Sequence, residues 1–122
     1  MEQNEITGTI VNAAIKVHSA LGPGLMEGAY KVCLEHELSR RGLKVERERI
    51  LPVVYDGIPI DAGYRVDFIV EDSVVVEVKA AKAHPVFEAQ LLTYLKLGGM
   101  RVGLLLNFFV PSMKDGIKQM VN

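Results

Sequence analysis

The sequence predicts an α/β fold of the α+β kind. Two helices precede three strands, a helix and a final strand (order α-α-β-β-β-α-β), around a mixed central sheet of about four to five strands flanked by helices. Three observations carry this reading. Ile58, Ile60, Ala62, Tyr64, Val66, Phe68 and Val70 alternate without a break, the period of a strand with one buried face. Val74-Val75-Val76-Glu77-Val78 is apolar on both faces, as in a strand inside a sheet. On either side of this pair, apolar residues recur at helical spacing.

Taken in order, Ile6, Ile10, Ala13, Ala14, Val17 and Leu21 form the stripe of a first helix that Asn4 could cap, and Leu21-Gly22-Pro23-Gly24 ends it. His18 lies near that end, either as a histidine interacting with the helix dipole or as a substrate contact. A second helix runs to about Arg41 with Tyr30, Cys33, Leu34 and Leu38 inward. Glu27 falls on the same stripe. An inward acid is costly unless paired or bound to a metal, whereas one in the first helical turn that stays wet is stabilised by the macrodipole; the spacing allows both. Lys44 to Tyr55 reads as extended, with Pro52 marking an edge strand or a bulge, and Asp56-Gly57 turns the chain into the strand from Ile58. Glu71-Asp72-Ser73 makes the next turn. His84-Pro85 opens a third helix whose face carries Phe87, Gln90, Leu91, Tyr94 and Gly98, so that Gln90 and Tyr94 place polar tips on an apolar stripe. Val102 to Asn107 is another buried strand, parallel to its predecessor, and Ser112 to Asn122 reads as a short helix or tail.

The charges inside the central strands point to chemistry. If Val70 pairs with Val74 across the turn, Asp67 lies opposite Glu77 and Arg65 opposite Lys79. Like charges facing each other across a ladder destabilise it, so something must compensate. A divalent cation would, since paired carboxylates, a backbone carbonyl and waters suit Mg²⁺ or Mn²⁺. So would neutralisation by Arg65 and Lys79, or a register shifted by one residue.

Composition bounds the rest. The chain has 122 residues, 49% of them hydrophobic, which fits one domain, residues 1-122. Its single cysteine, Cys33, offers no disulfide framework or cysteine zinc site, and no targeting signal or long apolar run is evident. A cytoplasmic location with no membrane association is expected. The net charge of -1 and pI near 6.3 argue against a tight nucleic-acid binder working through bulk electrostatics. The basic run Arg40, Arg41, Lys44, Arg47 and Arg49 is interrupted by Glu46 and Glu48 and fits a solvated strand edge better than a phosphate-binding stripe.

Gly24-Leu25-Met26-Glu27-Gly28-Ala29-Tyr30 resembles the G-x-x-E-x-x-Y signature of a family of small bacterial and archaeal proteins grouped with the PD-(D/E)XK nuclease superfamily. The resemblance continues through Val17-His18, Leu21 to Gly24, Tyr64-Arg65-Val66-Asp67, Val76-Glu77-Val78-Lys79, Gln90 with Tyr94, and Gly103 to Phe108; Gln119 stands where the family pattern has arginine. It implies a restriction-endonuclease-like core. It also implies roles: Glu27 as the helix-borne acid, Asp67 as the central metal-binding aspartate, Glu77 and Lys79 as the E-x-K pair, and Gln90 and Tyr94 as a Q-x-x-x-Y motif. Asp67, Glu77, the Val78 carbonyl and Glu27 would then hold Mg²⁺ or Mn²⁺. Lys79 would orient the attacking water or stabilise transition-state charge, and His18 and Arg65 are candidate substrate contacts.

Two functions from different classes follow. One is a metal-dependent phosphodiesterase acting on nucleic acid, with DNA as the expected substrate. The other is a catalytically silent, nuclease-like binding or assembly subunit with a protein partner. A homodimer is compatible with both.

Overall fold

The computed structural model describes the backbone of residues 1–122 and every side chain except those of residues 61 and 62. Helices α1 (Gln3–Leu21) and α2 (Glu27–Arg40) come first. Strands β1 (Val45–Tyr55), β2 (Ile58–Val70) and β3 (Val74–Lys79), helix α3 (Pro85–Gly98), strand β4 (Val102–Asn107), a 3₁₀ turn (Met113–Gly116) and strand β5 (Ile117–Val121) follow. The five strands form one mixed sheet in the order β1-β2-β3-β4-β5. Only β3 and β4 run parallel, and α3 is the crossover between them.

Strands β3 and β4, buried along almost their whole length, are the centre of the sheet, and their side chains divide the core into two layers. On one face Phe68, Val70, Val74, Val76, Val78, Leu104 and Leu106 pack under α1 and α2, through Ile10, Ala13, Ala14, Tyr30, Leu34 and Leu38. On the other, Ile69, Val75 and Leu105 pack under Leu91, Tyr94 and Leu95 of α3. Gly103 lets α3 lie close to the sheet, because a Cβ there would stand 2.9 Å from Leu91 Cδ1.

The punctuation follows the sequence closely. Asp56 and Gly57 both adopt positive φ (54° and 74°), the geometry of a tight hairpin turn. The β1–β2 register shifts between Leu51 and Val53, at Pro52, as expected of a residue that cannot donate to a ladder. Pro85 opens α3, the His84 ring accepts from the Val86 N–H at 3.0 Å, and Gly99 closes the helix in the left-handed conformation.

Four expectations are corrected. Helix α1 begins at Gln3 after Glu2, so Asn4 lies inside its first turn and caps nothing. The final segment is neither helix nor tail but strand β5, antiparallel to β4; Ile117 packs on the core while Lys118 and Gln119 face solvent, a pattern too short to show its period. The alternating face of β2 is buried only at its end: Val66, Phe68 and Val70 are interior, whereas Ile58, Ile60 and Tyr64 are exposed. There β1 and β2 run on together as an arm past the six-residue β3, and α3 covers only its start, where Leu51 packs with Leu91, Tyr94 and Leu95. Ala62, assigned to the same buried face, lies outside the residues whose side chains are described. Finally, the β2–β3 ladder ends at Phe68–Val76, so the expected Asp67–Glu77 and Arg65–Lys79 ladder pairs do not form.

Candidate active site

The site begins where that ladder stops. Val66 packs with Ile69 on the α3 side, whereas Phe68 packs on the α1/α2 side, so the strict alternation of β2 slips at Asp67. Beyond this point backbone pairing with β3 gives way to side chains. The Asp67 N–H donates to Glu77 Oε1 at 2.9 Å, and the Val78 N–H donates to Asp67 Oδ2 at 2.8 Å. Each carboxylate thus bridges a split in the sheet and satisfies the amide that the missing ladder bond would have used. Both residues are buried.

Two acids brought together away from water cannot both carry full charge unopposed. Burial, and then the negative charge of Asp67, push the Glu77 carboxyl up to about 8; the Asp67 N–H and the Lys79 charge oppose them only in part. On the other side of Asp67 stands a residue the sequence reading did not single out. Lys31 Nζ of α2 lies 2.8 Å from Asp67 Oδ1 and 3.9 Å from both Glu27 Oε2 and Glu48 Oε1. Against the downward pull of burial, the hydrogen bond and charge of Asp67 and the charges of Glu27 and Glu48 hold this ammonium above the ordinary lysine value. Gly28, Lys31, Glu35, Arg47, Glu48 and Asp67 line a recess of about 180 Å³ here.

Toward α3, Lys79 Nζ donates to Gln90 Oε1 at 3.2 Å and sits 4.9 Å from the centre of the Phe87 ring, an amide and an aromatic face that fix its direction. One turn along α3 from Gln90, Tyr94 is buried; burial, then the charges of Glu77 and Asp67, raise its hydroxyl pKa, which keeps it a neutral donor. Its ring is 5.8 Å from that of exposed Tyr64 on β2. The end of β3 is tied down by buried Asn107 of β4, whose Nδ2 donates to the Ala81 carbonyl at 2.7 Å, and by the Phe108 N–H, which donates to the Lys79 carbonyl at 2.8 Å.

The structure therefore brings Asp67, Glu77, Lys79, Gln90 and Tyr94 to one end of the sheet. Glu27 reaches it through Lys31 and is half-buried, with its side chain 43% exposed. His18 is elsewhere: its ring is buried and bonds the Val110 carbonyl through Nε2 at 2.8 Å, tying α1 to the segment after β4. Arg65 is exposed on the β1–β2 arm, opposite Ile50. The Glu and Tyr of the 24–30 motif divide their work: Tyr30 is fully buried, stacks on Phe108 with ring centres 4.4 Å apart, donates to the Gly22 carbonyl and accepts from the Leu25 N–H. It braces the loop that starts α2 and so sets where Glu27 and Lys31 stand.

Lys31 and Glu48 were missed for identifiable reasons. Lys31 stands four residues after Glu27, a spacing that signals an ordinary helical ion pair. Glu48 reads as an interruption of a basic run. It adopts φ 55°, and the β1–β2 register skips the Glu48–Asp67 position.

Among the described residues, no group of three or more His, Cys, Asp or Glu side chains is spaced to hold a metal ion. The donor chemistry nevertheless fits a divalent cation at two positions. Asp67 and Glu77 are hard oxygen donors fixed against each other by backbone N–H groups.

A mixed sheet whose central hairpin splits at an aspartate and a glutamate, with a lysine two residues further along the second strand, defines an α+β domain that gathers its buried charges at one end of the sheet. A family model described as the PD-(D/E)XK nuclease superfamily matches residues 4–120, and the chain belongs to that superfamily. Searches of curated proteins and of solved structures returned no match.

Proposed function

We propose that this protein is a metal-dependent nuclease of the G-x-x-E-x-x-Y type that hydrolyses phosphodiester bonds in DNA. The observation that carries the reading is the buried Asp67–Glu77 pair at the split of β2 and β3, with Lys79 held by Gln90 beside it. Asp67 and Glu77, with the Val78 carbonyl, would hold Mg²⁺ or Mn²⁺, and Glu27 would join through water. The ion would supply positive charge against the phosphate and make a neighbouring water more acidic. The chain's own groups do the rest. Lys79, aimed by Gln90 and Phe87, provides a preorganised cation for charge developing on the phosphate oxygens. Tyr94, kept protonated, donates a hydrogen bond into the same space. Exposed Arg65 on the arm offers a phosphate partner for the nucleic acid, and exposed Tyr64 offers a stacking face on the opposite, α3 side of the strand.

A second reading has one observation in its favour. Lys31 already neutralises the acidic corner, as a subunit kept for binding or assembly would require. Lys79 weighs against it, because a structural cluster has no use for a second lysine held toward the site.

The test is calorimetric titration of Mn²⁺ into the wild type and Asp67→Asn, followed by incubation of the same samples and of Lys79→Ala with labelled duplex, nicked, branched and single-stranded DNA. We expect binding that depends on Asp67, and cleavage lost in both variants. Cleavage that survives either change would overturn the nuclease reading, and binding without cleavage would favour the assembly subunit.

A further inference from the structure

The corner where Glu27, Glu48 and Asp67 meet is already filled by a cation belonging to the chain. Lys31 Nζ touches Asp67 Oδ1 at 2.8 Å, well inside charge-assisted hydrogen-bond range, and keeps Glu27 and Glu48 at 3.9 Å each. The Lys31 side chain is 26% exposed and that of Asp67 is 11% exposed, so this is a largely sheltered pair with its lysine at the wall of a small recess. Asp67 Oδ2 is committed to the Val78 N–H. The oxygen that no backbone group holds, and so the freer one to meet an incoming ion, is Oδ1, the one Lys31 holds.

We propose that Lys31 is an internal counter-ion that competes with the divalent cation for Asp67 Oδ1 and so sets the metal affinity of the site. The inference rests on the metal-dependent reading above. An ammonium and a divalent ion cannot both lie against one carboxylate oxygen without strong mutual repulsion. Binding of the ion therefore swings Lys31 away along its flexible four-carbon stem, toward Glu27 and Glu48, which are in place to receive it. In this arrangement Lys31 holds the acids together while the protein is metal-free and lowers affinity for the ion. Glu27 receives the displaced lysine and meets the ion only through water. Lys31 is a positioning residue, since it touches neither substrate nor reacting atoms.

The experiment compares wild type, Lys31→Met and Asp67→Asn in calorimetric titrations with MnCl₂, and follows the thermal midpoint of each protein in chelator. Methionine keeps the apolar stem and removes the charge. Lys31→Met should bind Mn²⁺ roughly tenfold more tightly than wild type, the equivalent of about 1.4 kcal/mol. In chelator its midpoint should fall, and Mn²⁺ should raise it by more than it raises the wild type. Unchanged or weaker Mn²⁺ binding by Lys31→Met, alongside Asp67-dependent binding by the wild type, would overturn the role of Lys31 and leave the metal site standing. No Mn²⁺ binding by either protein would overturn both. A measurement on the unaltered chain guards against a variant that does not fold: the side-chain amine resonances of Lys31, followed by NMR during titration with Mg²⁺, should shift and saturate together with ion binding. Resonances that stay fixed at saturating Mg²⁺ would mean that the lysine does not move aside.

Discussion

The two ends of the β2–β3 hairpin are built on opposite principles. At the turn end, Val70–Val74, Ile69–Val75 and Phe68–Val76 pair backbone to backbone, and all six residues are buried. One step further on, Asp67 and Glu77 hold the strands together with their side chains, and the ladder is gone. The turn end gains stability from packed apolar area and has no group free for chemistry. At the open end that stability is exchanged for two sheltered carboxylates, because an oxygen that accepts from the neighbouring strand's amide has taken the place of a carbonyl. Packed apolar residues and the buried charges thus sit next to each other on one strand. Substitutions should separate them.

The largest effect on folding is expected at the paired end. Phe68 is fully buried between β2 and the α1/α2 layer, and Phe68→Ala should lower unfolding free energy by about 3–5 kcal/mol. Asp67→Asn keeps an oxygen for the Val78 N–H and leaves Lys31 with Glu27 and Glu48, so its loss should be smaller, about 1–2 kcal/mol. Urea unfolding in chelator measures both. A larger loss from Asp67→Asn than from Phe68→Ala would mean that the open end, not the turn, is the stabilising part of the hairpin.

A pH series sharpens the contrast at Glu77. Its carboxyl titrates near 8 in the folded chain against a reference of 4.5, so between these values the folded state holds a proton that the unfolded state has released. Its contribution to stability is fully present below about pH 4.5 and is lost as pH rises through about 8. In chelator the wild-type midpoint should therefore decline across that window. Glu77→Gln, which keeps an acceptor for the Asp67 N–H but has no proton to lose, should show a flatter profile and be the more stable protein at the alkaline end. Parallel profiles would show that Glu77 is ionised throughout.

The paired end could be read from the sequence and the open end only in part, for a physical reason. Alternation, Asp56-Gly57 and the apolar runs of β3 and β4 around Glu77 and before Asn107 are local signals, and they located β2, β3 and β4, the turns between β1, β2 and β3, and the central place of β3. The nearness of Asp67 and Glu77 followed from counting across a turn, but counting assumes that the ladder continues, and it cannot show strands parting at a charged pair. Lys31 and Glu48 reach Asp67 from α2 and from β1, across contacts that no period encodes. Strand β5 is five residues long, with Ile117 packed on one core layer and Met120 on the other, less than a periodicity needs. His18 shows the converse: its place near a helix end suggested a dipole or substrate role, and a tertiary partner ninety-two residues away, the Val110 carbonyl, decided where its ring points.

The smallest effect is expected from a second lysine–aspartate pair that resembles the first in geometry alone. Beside the turn end, Lys44 Nζ lies 3.0 Å from Asp72 Oδ2, close to the 2.8 Å between Lys31 and Asp67. Here the side chains are 66% and 63% exposed, so water and salt screen the charges, and fixing two mobile side chains offsets the attraction that remains. The Asp72 hydrogen bond and charge raise the Lys44 pKa, but a shift at so open a site records proximity rather than cohesion. Lys44→Ala should leave the thermal midpoint unchanged within error at any salt concentration, whereas Lys31→Met lowers it in chelator, most clearly at low salt. Equal shifts from the two substitutions would mean that distance, rather than shelter from solvent, decides what a lysine–aspartate pair contributes in this sheet.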